Sequence, residues 1–150
     1  MPVDQNGWNL SVRITLLPKD TNQHGTIFGG VILSYIDIAG AIEAKRFCEQ
    51  EVVTVAMKEV IFKEPVFVGD LVSFFTRIIR TGRTSMTIAV KVITHRFKES
   101  VGEVTLTVAE VTYVAIDKDR NAQEIRVRTS DVDPPAFSSE YLKNQLQRGQ

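Results

Sequence analysis

Residues 31–42, VILSYIDIAGAI, are apolar on almost every side of a helix, and that run constrains the whole fold. A helix without a polar face has to be buried on most of its sides. The helical pattern spans about 29–50, and charge begins only at Glu43, Lys45 and Arg46, where the helix is expected to emerge into solvent. Ahead of it, residues 7–17 alternate as a strand that Pro18 ends. Behind it come four β-rich runs, at 52–62, 71–80, 85–97 and 103–116. In the third, Met86, Ile88, Val90 and Val92 point one way, and Thr87 and Lys91 the other. In the fourth the apolar phase slips after Val108, which predicts a bulge or a strand covered on both faces. One helix among five strands is an α+β layout in which an antiparallel sheet wraps around the helix. Such a sheet leaves edges that need pairing, and edge-to-edge dimerisation is a natural solution.

At 150 residues the chain is most simply one domain, expected over 1–128, with a peripheral tail at 129–150 and a short terminal helix from about Ser138. Eighteen basic and eighteen acidic residues cancel, which removes the electrostatic case for nucleic-acid binding. A single cysteine, Cys48, excludes an internal disulfide framework and a cysteine-rich zinc site. The first residues carry no signal-peptide pattern, and Asp37 interrupts the apolar run over 27–42. The expectation is a soluble cytoplasmic protein.

Chemistry concentrates between Asp20 and Gly40. A carboxylate inside an apolar helix is costly unless something compensates it, so Asp37 needs a reason. One reason is chemical; the other is an ion pair with an arginine such as Arg77 or Arg80. Phe28-Gly29-Gly30 opens the helix, where unpaired N–H groups and the helix dipole can polarise a carbonyl. At helical spacing Gly30, Ser34 or Leu33, Asp37, and Ala41 or Gly40 share one small-volume face. Asp37 then lies two turns, roughly 10–11 Å, below the first N–H groups. Asn22 and His24, in the loop before the helix, are candidates for orienting a water and for acid–base work, or are plain turn residues. Gly82-Arg83-Thr84-Ser85 is a modest phosphate-binding candidate, or an ordinary hairpin turn. No serine-hydrolase elbow, P-loop or dinucleotide fingerprint is present, and no spacing suggests a metal site.

Together, Asp20-Thr21-Asn22-x-x-Gly25-x-Ile27-Phe28-Gly29-Gly30, Asp37-x-Ala39-Gly40, Val53-Thr54-Val55-Ala56, Phe62-x-x-Pro65-Val66-x-Val68-Gly69-Asp70 and Gly82-Arg83-Thr84-Ser85 resemble the hotdog-fold acyl-CoA thioesterases. The group is that of the bacterial YciA-type enzymes and the cytosolic acyl-CoA hydrolases. The match runs from about residue 10 to 117 and is specific as a combination. The resemblance implies a hotdog fold and hydrolysis of acyl-CoA to free fatty acid and coenzyme A. It implies that Asp37 is catalytic, as general base or nucleophile, with Asn22 of the opposite subunit as the second catalytic residue. The N–H at Gly30 would serve as oxyanion hole, and Arg83, Thr84 and Ser85 would hold the coenzyme A of the substrate, with no other cofactor and no metal. Dimers assembled as a trimer of dimers are implied, with neither nucleic acid nor membrane as partner. Thr26 departs from the pattern, because Asp or Asn is frequent there. Two rivals stay open: a hydroxyacyl-thioester dehydratase using His24 and Asp37, and a non-catalytic acyl-CoA sensor.

Overall fold

Strand β1 (Asn9–Thr15) is followed by helix α1 (Gly29–Phe47), β2 (Glu51–Met57), β3 (Leu71–Thr81), β4 (Ser85–Arg96) and β5 (Gly102–Ile116). This computed structural model describes residues 6–97 and 102–128; the 129–150 tail and the helix expected from Ser138 lie outside the described residues. The strands form one antiparallel sheet in the order β1-β3-β4-β5-β2, and α1 packs against all five. The element order is the one the periodicity predicts.

The alternation in β4 places Met86, Ile88, Val90 and Val92 fully inside, against Ile32, Ile36 and Ala39 of the helix. Each large apolar side chain buried this way contributes about 1.5–3 kcal/mol. One-residue bulges at Ser11, Val55, Ile79 and Leu106 interrupt the ladders. Bulges sharpen twist and bend strands, which curls the sheet around α1. The phase change in β5 therefore lies at Leu106 and Thr107, both buried, rather than after Val108, which is exposed.

Three boundaries differ from the sequence reading. The helix stops at Phe47, not near Gln50, because Cys48 is extended and Arg128 takes over its end. Arg128 donates from Nε to the carbonyl of Lys45 (3.1 Å) and from Nη2 to that of Cys48 (3.2 Å). The first strand is shorter than 7–17, since Pro18–Asp20 forms a single 3₁₀ turn closed by the Asp20 carboxylate on the Leu17 N–H. Finally, β2 ends at Met57 rather than 62. Beyond it the chain still follows β5, touching down through Lys58 N–H on Glu110 and Lys63 N–H on Leu106. The loop closes on buried Asp70, which accepts from Phe67 N–H, Thr94 and Arg96.

Glu43 also reverses its expectation. It does not mark emergence into solvent but is 7% exposed. Its carboxylate accepts from Asn9 Nδ2 (3.0 and 3.2 Å), from Thr76 Oγ1 (3.0 Å) and from Arg46 one turn on. The bend of β1 and β3 over this end of the helix covers a residue that the linear pattern placed outside. Among the described residues no helix is long and apolar enough to cross a membrane.

Candidate active site

The side of α1 that the sheet does not cover carries Asp37. Its neighbours there, Ser34 and Ile38, are exposed, and Asp37 itself is only partly buried. Burial on most sides, as the sequence suggests, is therefore not met within one chain. The inward stripe is Ile32, Ile36, Ala39, Gly40, Glu43 and Ala44.

Among the described residues no arginine pairs with Asp37. Its Oδ1 accepts from Thr54 Oγ1 at 2.7 Å and from Tyr113 hydroxyl at 3.2 Å, and the same hydroxyl donates to the Asp37 main-chain carbonyl at 2.7 Å. No described residue donates to Oδ2. Burial, then the charge of Asp37 and its hydrogen bond, push the Tyr113 phenol far up, so it stays a protonated donor. Thr54 and Tyr113 are paired directly across β2 and β5. Neither was singled out individually from sequence; a tyrosine in phase with buried Val111 and Ala115 was the available signal.

Gly40 is not part of an open slot. Gly40, three positions after Asp37, is buried against the sheet, whereas Ala41, about 100° further round the helix, is only partly buried. A Cβ at Gly40 would lie 2.9 Å from ring atoms of Tyr113 and closer still to its hydroxyl. Gly40→Ala is expected to destabilise the protein by about 1–3 kcal/mol through overpacking. A lowered midpoint in thermal unfolding is the check; an unchanged one would remove this steric role.

At the entrance of α1, Phe28 is extended and provides no side-chain cap, and the first turn holds no acidic residue. The N–H groups of Gly29 and Gly30 thus find no acceptor among the described residues. The dipole's positive end is left uncompensated there. A Cβ at Gly30 would meet the exposed ring of Phe28 at 2.5 Å.

Asn22 is held in its own turn. Its Oδ1 accepts from His24 N–H (2.9 Å) and Thr26 N–H (3.3 Å), while its Nδ2 donates to Thr26 Oγ1 (2.9 Å). Thr26, the departure noted in the sequence, is therefore the partner that orients Asn22. Gly25 turns this loop with a φ of 79° that suits glycine. No hydrogen bond joins Asn22 to Asp37 within the chain. His24 is exposed, with its ring 3.5 Å from Gln23 and no contact to Asp37. The turn at 82–85 is pinned by Gly82 N–H on Ser85 O and by Ala115 and Ile125 N–H on Thr84 and Arg83. The Arg83 side chain is exposed and has no partner among the described residues.

Residues 24–96 match the thioesterase superfamily model. The acyl-CoA thioester hydrolase YciA of Salmonella typhimurium is 38% identical over 79% of this chain and 91% of its own. The chain belongs to the hotdog acyl-CoA thioesterases, in the YciA group. A hexameric hotdog-fold thioesterase of Campylobacter jejuni is 42% identical with a TM-score of 0.72, covering 78% of this chain and 90% of its own. A hexameric thioesterase from Yersinia pestis is 39% identical with a TM-score of 0.74, over 78% and 95%. Membership of this thioesterase family accounts for the long helix and the curled sheet in one fold.

Proposed function

We propose that this protein hydrolyses acyl-CoA thioesters to a carboxylic acid and coenzyme A. The observation that carries this reading is Asp37: a carboxylate two turns from an uncapped helix entrance, held at Oδ1 by neutral donors and with no described residue donating to Oδ2. As a base, Oδ2 takes a proton from water while the water oxygen attacks the thioester carbonyl carbon. As a nucleophile, the carboxylate attacks that carbon itself and water then hydrolyses the mixed anhydride. In both routes the N–H at Gly30 of the opposite subunit, beside that subunit's Asn22, receives the developing oxyanion, since Gly30 of the same chain lies two turns away; the C–S bond breaks, and the thiolate leaves to be protonated. Water balances the reaction, so no cofactor is required beyond the coenzyme A of the substrate.

Asn22 of the opposite subunit completes the site by placing the water or the carbonyl. In support, Asn22 makes no bond to the Asp37 of its own chain, and Thr26 presents it rigidly. The edge strand β2 and the exposed Ile38 (49%) and Val55 (55%) flank Asp37, which suits burial under a second copy. Similar proteins are hexameric, which fits a trimer of dimers here. Arg83, Thr84 and Ser85 hold the phosphates of coenzyme A.

The test is thiol release, followed with a chromogenic reagent, across acyl-CoAs from short to long. Turnover with equal acid and coenzyme A is expected, and no turnover on any chain length would overturn the reading. Arg83→Ala is expected to raise KM on the order of 10-fold at unchanged kcat, the loss of one charge-assisted phosphate contact. An unchanged KM would move the coenzyme A away from this turn.

A further inference from the structure

We propose that Arg96 is a positioning residue for Asn22, acting through the loop 65–70. This rests on Asn22 completing the site of the opposite subunit. The hairpin that carries Asn22 closes on itself. Thr21 bridges Ile27, Asn22 N–H donates to the Thr26 carbonyl at 2.8 Å, and Phe28 N–H donates to that of Asp20 at 2.8 Å. Among the described residues, every hydrogen bond of residues 20–28 stays within 17–31 except one. That one runs from Ile27 N–H to the Val66 carbonyl at 2.8 Å. The direction in which the hairpin presents Asn22 is therefore set from the loop 65–70.

That loop is gripped by one guanidinium. Arg96, the last residue of β4, donates from Nε to Asp70 Oδ2 at 3.1 Å and from Nη2 to the Pro65 carbonyl. It also lies over the Phe67 ring, 4.7 Å from its centroid. The same Asp70 oxygen accepts from Phe67 N–H at 3.0 Å. Pro65 and Asp70 stand on either side of Val66, so the fork holds both flanks of the carbonyl that meets Ile27. A planar fork fixes direction as well as distance, which a single donor does not. Val66 alone of residues 61–69 is buried, so packing fixes the loop at one point and Arg96 supplies the others. Thr94 offers an internal control. Its hydroxyl donates to the same Asp70 oxygen at 3.2 Å but makes no bond to residues 65–67.

The experiment compares wild type, Arg96→Met, Thr94→Val, Asn22→Ala and the Arg96→Met, Asn22→Ala double variant on one acyl-CoA that the wild type turns over, below the unfolding midpoint of each. Arg96→Met is expected to lower kcat on the order of 10- to 100-fold, the scale of a displaced positioning group. Coenzyme A binding by calorimetry should stay within about twofold, since ground-state binding is untouched. Thr94→Val should lower the unfolding midpoint yet leave kcat within about threefold of wild type. In the Asn22→Ala background Arg96→Met should cost less than about threefold, because the residue it positions is gone. Wild-type kcat in Arg96→Met overturns the proposal. So does a Thr94→Val variant equally slow, which would make the effect one of stability, and so do losses that multiply in the double variant. Wild-type kcat in Asn22→Ala removes the reading on which the proposal rests, and the proposal with it. Should Arg96→Met not fold, Arg96→Gln takes its place, since the shorter amide cannot serve Asp70 and Pro65 together; the same losses are expected and the same outcomes decide.

Discussion

Asp37→Asn is expected to lower kcat for acyl-CoA hydrolysis by about 10³-fold, within the range that a positioned acid–base group contributes. The substitution is close to isosteric. The amide oxygen can still accept from Thr54 and Tyr113, so the two contacts that seat residue 37 survive. What disappears is the ability of the second atom to take a proton or attack a carbonyl carbon. Folding and assembly should be unaffected, and coenzyme A, proposed above to lie at the turn 82–85, should bind as in wild type by calorimetry. Single turnover in ¹⁸O-water then tests the nucleophile route: label in the Asp37 carboxylate means an anhydride opened at its aspartyl carbon, an outcome that a general base does not give. Wild-type turnover in the asparagine variant would remove Asp37 from the chemistry.

The largest effect on stability is expected from a different carboxylate. Glu43→Ala should cost on the order of 3–5 kcal/mol, the scale for breaking one partner out of a buried charge pair. Arg46 is half of that pair, and its Nε and Nη2 are buried with no acceptor among the described residues. Removing Glu43 leaves that guanidinium with nothing to offset its desolvation, and strips Asn9 and Thr76 of their shared acceptor. Replacing Glu43 and Arg46 together by methionine should be far milder, because no charge is then stranded. Urea unfolding of the single and double variants measures the contrast. A loss below about 1 kcal/mol in Glu43→Ala would show that Arg46 finds water instead.

The two carboxylates of α1 show how far the sequence could be read. Both Asp37 and Glu43 lie on the helix, and the linear pattern assigned them opposite environments to those observed. Asp37, amid apolar residues, was expected inside and is partly open; Glu43, beside Lys45 and Arg46, was expected outside and is covered. Periodicity reports which residues are apolar, not which side of a helix the curl of a sheet will reach. The covering of Glu43 comes from β1 and β3, strands separated from it by about thirty residues in each direction. The seat of Asp37 comes from Thr54 and Tyr113, the latter 76 residues away. Asn22 was legible as a candidate, whereas its orientation by Thr26 depended on a turn geometry that composition does not state.

The sequence by itself determined the element order, the one helix among five strands, the inward phase of β4, and the coincidence of Asn22, Gly30 and Asp37 with the motifs of a thioesterase family. These are local quantities: side-chain period, glycine placement and short spacing. Only the tertiary structure decided where the bulges fall, which face of α1 stays open, and that Gly40 is small to admit the Tyr113 hydroxyl rather than a substrate. The physical reason is that burial and hydrogen bonding are settled between residues far apart in the chain, once the sheet has curled and its strands have chosen their register.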